Sequence, residues 1–341
     1  MRSWRCTGAG GFLSAIDGAR ALSSSAGPAG KRGIARRAAS LGIQLLASAA
    51  LLWLLFSRVG IEEVAGKLSV RNPGMAGLGL ILLATQLVIG MLRWRMICTA
   101  LGVYVPGPRV ALGWVGMGLA LSQVLPSSIG GDAYRIAALG RRAGIGAAAR
   151  TVVAERVAGL LTLSALALPM SLAAIPLTES SLAFSAYAVL SGAVLAGGVV
   201  AGAIARLLAR WTASRLLRLV AADFGAMYAR STLLPVFGVS AAIHALSLGA
   251  VVCLSAALAL DEVLWWQAAL VVPGTLLASA IPISLGAWGV RESSMVFGLA
   301  AFGISDATAL ALSISYGLAM AVAGVMGLFL WFAGGHGRAA Q

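Results

Sequence analysis

The sequence predicts an all-α fold, a polytopic bundle of transmembrane helices, from three observations. The chain is 60% hydrophobic and 11% charged over 341 residues, whereas soluble domains carry about 25% charged residues. Its apolar residues form repeated stretches, and about 20 such residues are enough to cross a bilayer as a helix. One short motif of helix breakers and charges occurs twice among them. No polar stretch is long enough to form a separate soluble domain.

Six apolar stretches have the length expected of full spans. Two further stretches, 109–125 and 264–281, are short for a span and are followed by Pro, Gly and charged residues. This pattern predicts helical hairpins at 109–145 and 264–302 that enter the membrane without crossing it. The predicted spans are 38–57, 74–98, 147–175, 182–205, 233–259 and 307–332.

The repeated motif has the form P-x-S-x-G-x-x-x-x-R. It runs from Pro126 to Arg135 and again from Pro282 to Arg291. Backbone freed by Pro and Gly is costly in lipid unless protein or a water-filled cavity covers it. A charge at that depth costs at least ~2.5 kcal/mol. Two occurrences with one spacing therefore indicate a duplication with a shared role.

Charge determines the predicted topology, because Lys and Arg concentrate in cytoplasmic loops. If the two short stretches cross the membrane, one strongly basic loop lies outside. If they form hairpins, all basic groups lie on one side and all acidic turns on the other. We therefore predict a multi-pass protein of the plasma (inner) membrane with both termini in the cytoplasm. The basic groups are 1–37, 93–109, 135–150 and 206–230, and the acidic turns lie near 179, at 261–262 and at 306.

The same arrangement predicts an inverted repeat. Residues 38–332 divide into halves, 38–181 and 182–332, each with the order span, span, hairpin, span. Three spans per half give the halves opposite orientations, as in many secondary transporters, whose binding site lies where broken helices meet. Residues 1–37 are predicted to be a basic, disordered tail, or to result from a misassigned start codon. Residues 333–341 are a short C-terminal tail.

Two segments suggest contact with the membrane surface. Basic and apolar residues alternate over 206–230, which is typical of an amphipathic surface helix, although a solvated loop is the alternative. Arg93, Trp94 and Arg95 end the second span. Trp and Arg together suit the headgroup region of a bilayer, so we expect these three residues at the interface.

The net charge of +14 indicates a partner of opposite sign. Because no zinc knuckle, recognition helix or RNA-binding signature accompanies it, we expect anionic lipids of the cytoplasmic leaflet and no nucleic acid. The three cysteines and two histidines are scattered and predict neither a disulfide framework nor a metal site. No catalytic motif or cofactor-binding motif is present.

Three segments resemble a known family in their order and spacing. They are P-S-S-I-G-G-D-A-Y-R, A-E-R-V-A-G-L-L and P-I-S-L-G-A-W-G-V-R-E. Together they resemble the lysylphosphatidylglycerol synthase transmembrane region, a group of flippase-like membrane proteins, over roughly residues 40–332. The resemblance implies a domain that moves a modified phospholipid between leaflets. Some members also carry a cytosolic aminoacyl-transferase domain, which is absent before Gln341, so we expect transport without synthesis.

The candidate substrate-binding residues lie in and between the two motifs. A half-helix that starts after two glycines offers free N–H groups and a dipole to a phosphate, and Arg135 adds a planar donor fork. The second motif offers the same groups from the other side, so we expect Arg135 and Arg291 to share one cavity. The residues are Gly130, Gly131, Asp132, Arg135, Glu155, Arg156, Gly286, Trp288, Gly289, Arg291 and Glu292.

Several of these residues have alternative roles. Asp132 either caps the half-helix or neutralises Arg135, since residues three apart on a helix are neighbours. Glu292 either balances the adjacent arginine or meets a cationic headgroup. Glu155 and Arg156 either form a cytoplasmic entrance or extend to the membrane surface.

The predicted function is that of a flippase-like transporter, which moves a phospholipid or a lipid-linked headgroup between leaflets. One alternative is an intramembrane enzyme that modifies lipids, since carboxylates beside a cavity can transfer protons. The other is a non-transporting membrane partner of such an enzyme. A headgroup-modified product would favour the enzyme, and dispensable motif charges would favour the partner.

Overall fold

The structure is a computed structural model that describes residues 28–124, 129–178, 180–211, 214–281 and 283–333. All regular structure within these ranges is helical, so the all-α fold class is confirmed. The helices are α1 (Pro28–Val59), α2 (Ile61–Lys67), α3 (Pro73–Ala100), α4 (Pro108–Val124), α5 (Ile129–Ala143), α6 (Ile145–Ala174), α7 (Leu182–Trp211), α8 (Arg215–Tyr228), α9 (Arg230–Ala257), α10 (Trp265–Ser279), α11 (Val290–Ala300) and α12 (Asp306–Ala333).

Six of the helices in these ranges are long and apolar enough to cross a membrane. They correspond to the six predicted spans, which makes the chain a multi-pass membrane protein. Helix α1 starts at Pro28, inside the segment predicted to be disordered. Six of the ten residues 28–37 are Ala, Lys or Arg, which favour a helix, and Pro is tolerated at its first position. The two tails, 1–27 and 334–341, lie outside the described residues. The candidate spans are Gly42–Val59, Pro73–Ala100, Ile145–Leu177, Leu182–Trp211, Arg230–Ala257 and Asp306–Phe332.

Helix α1 crosses the boundary between two compact units, 1–46 and 47–341, and all packing described below lies in the second unit. The two predicted hairpins are present there as packed helix pairs, α4 with α5 and α10 with α11. Residues 125–128, which connect the first pair and include the Pro-Ser-Ser of the first motif, lie outside the described ranges. In the second pair, Gly286 and Gly289 have positive φ values of 54° and 92°, a conformation that glycine adopts at little cost.

Several helix–helix contacts occur twice, the second time between the equivalent helices of the opposite halves. Helices α3 and α9, the second span of each half, pack on each other. The first arm of each hairpin packs on the last span of the other half, α4 on α12 and α10 on α6. The cross-contacts α3–α12 and α9–α6 form a further matched pair. This matched packing agrees with the predicted division into two equivalent halves, each with three spans and one hairpin.

The hairpins meet near their tips. A Cβ atom added to Gly286 would lie 3.5 Å from the carbonyl oxygen of Ser122 at the end of α4. Along the rest of α4, Gly116 faces Gly327 of α12 so closely that a Cβ on either residue would overlap the other backbone. Close approach through small residues is typical of helix packing in membranes, and here it brings the first hairpin against the final span.

The predicted surface segment 206–230 is largely helical. Residues up to Trp211 complete α7, and α8 follows after Ser214, whose hydroxyl accepts the N–H of Leu217 at 3.5 Å. Arg150 of α6 holds α8 through a bidentate ion pair with Asp223, with Nε 2.6 Å from Oδ2. The solvated-loop alternative for this segment is therefore wrong.

Candidate functional site

A cavity of about 320 Å³ lies between the first hairpin and helices α3, α6, α9 and α12. Much of its wall is apolar, with Leu83, Leu119 and Met320 among the lining residues. The polar part of the wall brings together residues that are far apart in the sequence. These are Gln86, Arg93, Ser122, Asp132, Arg135, Glu155, Arg156 and His244.

Two glycines allow the first hairpin to place Arg135 in this wall. A Cβ atom on Gly131 would overlap the backbone of Gly118, so α4 and α5 can approach this closely only without a side chain at position 131, and a Cβ on Gly118 would lie 3.1 Å from the Arg135 side chain. The Arg135 side chain then runs beside Gly118, and its guanidinium lies 4.4 Å from the ring centroid of Trp94. Such a cation–π contact stabilises a partly desolvated guanidinium.

Glu155 joins two arginines in the cavity wall. It forms a very short ion pair with Arg135 and a second pair with Arg93, whose Nη2 lies 3.2 Å from Oε1. Arg93 also donates to the hydroxyl of Ser240 on α9 at 3.3 Å. Because Glu155 is buried, its charge is tolerable only with such partners. This carboxylate therefore ties α3, α5 and α6 together.

A third ion pair of the wall lies at Asp132. Its Oδ2 is 2.8 Å from Nε of Arg156, which is half-exposed, and its Oδ1 is 4.0 Å from Arg135. Three arginines and two carboxylates thus line the cavity, which gives a formal charge of +1 (three minus two). The cavity is therefore suited to an anion.

Three buried donors in this wall lack a hydrogen-bond partner among the described residues. They are Nε of Arg93, Nε of Arg135 and Nε2 of Gln86. A buried donor without an acceptor costs about 1–3 kcal/mol, so native structures usually provide an acceptor, from water or a ligand. The cavity can accommodate a ligand that supplies several acceptor oxygens.

The second motif forms a separate, closed cluster. Arg291 pairs with Glu292, with Nε 3.0 Å from Oε1, and lies 4.7 Å from the ring centroid of Trp288. Glu292 is fully buried and also accepts the N–H of Gly289 at 2.6 Å and the hydroxyl of Ser313 at 3.3 Å. The pair is formally neutral, and neither member lines the charged cavity.

The family model of the lysylphosphatidylglycerol synthase transmembrane region matches residues 41–328. The chain belongs to this family. No curated protein and no solved structure matches the chain. Membership places the protein among membrane proteins of lipid metabolism or transport, and it agrees with the range over which the sequence resembles the family.

For this member of the lysylphosphatidylglycerol synthase transmembrane family, the structure brings together most of the first group of predicted site residues. Asp132 lies in the first turn of α5, and its main ion pair is with Arg156, so neither of its predicted alternatives describes it fully. Glu155 is not at an entrance but buried between two arginines. The residues of this group that line the cavity are Gly131, Asp132, Arg135, Glu155 and Arg156, whereas Gly130 precedes them in α5.

The second group of predicted residues does not join them. Its members lie in the turn before α11 or in the first turn of that helix, and outside the cavity wall: Gly286, Trp288, Gly289, Arg291 and Glu292. The expectation of one cavity shared by both motif arginines is therefore wrong for this structure. Equal spacing from a proline does not give equal positions in a helix. Arg135 lies six residues after the start of α5, whereas Arg291 directly follows the first residue of α11.

Sequence reasoning missed part of the site in this family member. Arg93 and Trp94 face the protein interior and not the headgroups, since Trp94 is fully buried and its indole N–H donates to Thr151 at 3.2 Å. The arginine is instead a wall residue of the cavity. Gln86 was also missed, although a single amide within an apolar span is a sequence signal for an interior polar contact.

Proposed function

We propose that this protein binds the phosphate of a phospholipid or lipid-linked headgroup at Arg135 and carries that headgroup between the leaflets. The supporting observation is the cavity wall, which has a formal charge of +1 and buried guanidinium donors without acceptors. A phosphate offers several acceptor oxygens, and the planar guanidinium matches them in pairs. Family membership supports a lipid as the source of that phosphate.

The size of the cavity supports binding of a headgroup and not of a whole lipid. Its volume of about 320 Å³ lies at the lower end of the roughly 300–1,000 Å³ typical of ligand sites. The acyl chains then remain in the bilayer while the headgroup enters the protein. The wall donors replace part of the water that the headgroup loses on entry.

The matched halves offer a route for movement. In inverted-repeat transporters, one half rocks against the other around a central site and exposes it to each side in turn. Here the hairpins meet at Gly286 and Ser122, so displacement of one hairpin moves the tip of the other. We propose that this displacement moves the headgroup past Arg135.

The direct test is lipid exchange in proteoliposomes that contain the purified protein. We expect the protein to accelerate leaflet exchange of headgroup-labelled phosphatidylglycerol over protein-free vesicles. A labelled glycolipid without phosphate should not be accelerated, because it lacks the acceptor oxygens. The recovered lipids should keep their mass. Exchange at the protein-free rate would contradict the proposal, and a changed headgroup mass would favour the enzyme alternative.

We further propose a plasma-membrane location with both termini and α8 in the cytoplasm, based on the distribution of basic residues. In a protein without its native cysteines, we expect Arg215→Cys to react with an impermeant maleimide only after permeabilisation. Asp261→Cys, an equally exposed site in an acidic turn, should react in intact cells. Strong labelling at position 215 in intact cells would contradict this topology.

A further inference from the structure

A second cavity, the α8 groove, lies on the opposite side of α6 from the charged cavity. Its volume is about 590 Å³, and α6, α7, α8 and α9 form its walls. Helix α6 presents Val153 and Val157 to the α8 groove and Glu155 and Arg156 to the charged cavity. The two cavities therefore share helices α6 and α9 but no lining residue.

The walls of the α8 groove are aliphatic and aromatic, and their few polar side chains are already paired. Arg150 and Asp223 pair with each other. The hydroxyl of Thr162 donates to the carbonyl of Ala158 at 2.9 Å, and the hydroxyl of Tyr228 donates to the carbonyl of Gly198 at 3.4 Å. An occupant gains no hydrogen bond inside the groove and leaves no wall group unsatisfied. The groove is therefore suited to a hydrocarbon chain without polar groups.

The length of the α8 groove also fits a chain. Its lining residues on α6 extend from Gly146 to Ala165, which is about 28 Å of helix. One leaflet contributes roughly 15 Å of hydrocarbon. An extended acyl chain can therefore lie along the groove from the end at Arg150 into the bilayer interior.

Positive charge beside the α8 groove indicates that the lipid headgroup is anionic. Arg215, Arg218 and Arg230 lie on or next to α8, and all three are exposed. Asp223 is the only acidic residue of this segment in the described ranges, and Arg150 neutralises it. Basic residues beside an apolar surface attract anionic lipids.

We propose that the α8 groove is a second lipid site, which holds one acyl chain of an anionic phospholipid while the arginines of α8 bind its phosphate. The site is separate from the charged cavity and does not depend on transport. A lipid bound there contacts both α8 and α6, and it stabilises the docking of the surface helix on the bundle.

The test uses the full-length protein in phosphatidylcholine vesicles with a trace of phosphatidylglycerol that carries a diazirine in its acyl chain. After illumination, mass spectrometry should find the label on α6 near Val157 and on α8 near Phe224. Unlabelled phosphatidylglycerol should compete far better than phosphatidylcholine. Labels spread evenly over all lipid-facing spans, or equal competition by both lipids, would overturn the proposal.

Two pairs of variants make the test specific. Val153→Trp fills the open side of the α8 groove, where the valine is 59% exposed, and should strongly reduce labelling. Val189→Trp changes a valine of α7 outside the groove that is 73% exposed, and it should leave labelling unchanged. Equal labelling in both variants would show that the label reports bulk lipid, which contradicts the proposal.

The second pair tests the headgroup. The double change Arg215→Gln with Arg218→Gln should lower the preference for phosphatidylglycerol by roughly tenfold or more, since each arginine near an anionic surface contributes about fivefold. Arg71→Gln removes the same charge at an exposed site away from α8 and should not change the preference. If the double variant keeps the wild-type preference for phosphatidylglycerol, the arginines do not bind the headgroup and that part of the proposal is wrong.

Discussion

Replacing Arg135 with Gln is expected to slow lipid exchange by roughly 10- to 100-fold, because a hydrogen bond to a charged group contributes about 1.5–3 kcal/mol. The change lowers the formal charge of the cavity from +1 to zero and removes a buried donor that faces the ligand. The fold should persist, since Glu155 keeps its second partner, Arg93. Exchange of labelled phosphatidylglycerol in proteoliposomes measures the effect.

Two further variants define the role of this arginine. Arg141→Gln removes a charge from an exposed position near the other end of the same helix and should exchange lipid at the wild-type rate. Arg135→Lys keeps the charge but loses the planar fork, so it should restore exchange only in part if phosphate is bound through two nitrogens. If Arg135→Gln inserts normally and exchanges lipid at the wild-type rate, Arg135 does not bind the headgroup.

Hydropathy, the positions of Pro and Gly and the duplicated motif predict most of the helix arrangement. The six spans follow from apolar length, which the bilayer thickness fixes. The hairpins follow from two stretches that are too short to span and are followed by Pro and Gly. The duplicated motif then predicted which helices of the two halves are equivalent, because it places a helix break at the same point in each half. Helix α8 was predictable from alternating basic and apolar residues.

The wall of the charged cavity was only partly predictable. Glu155 and Arg135 were recognised because a charge in an apolar sequence is costly and has a function or a partner. Their partnership is a tertiary contact between helices, which spacing along the chain does not reveal. Arg93 illustrates the same limit, since its position beside Trp94 at the end of a span also fits an interface. Only the packing of α3 against α6 and α9 determines which way it faces.

Arg291 was assigned by analogy with Arg135, and the structure separates the two by their counter-ions. Arg135 takes its nearest carboxylate, Glu155, from another helix, so most of its neutralisation depends on how the helices are arranged. Arg291 takes its carboxylate from the next residue, so its neutralisation is local. We infer that the first half carries the site that can exchange a protein carboxylate for a ligand phosphate.

This difference leads to the second prediction, which concerns stability. Glu292 is fully buried, neutralises Arg291 and accepts the N–H of Gly289 at the start of α11. Glu292→Gln keeps an acceptor for that N–H but leaves the buried guanidinium without a counter-charge. Breaking a buried pair costs about 3–5 kcal/mol, so we expect a large loss of thermal stability in detergent, measured as the temperature of aggregation.

The double variant Arg291→Met with Glu292→Gln decides what the pair does. Replacing both charges by uncharged groups of similar size is often neutral for stability, so the double variant should regain most of the stability that Glu292→Gln loses. Its lipid exchange can then be measured on a folded protein. Wild-type exchange would assign the pair to structure alone, which is the expected result because both residues lie outside the charged cavity. If the double variant is stable but does not exchange lipid, Arg291 or Glu292 takes part in transport. If the double variant is no more stable than Glu292→Gln, the two residues are not mutual counter-ions.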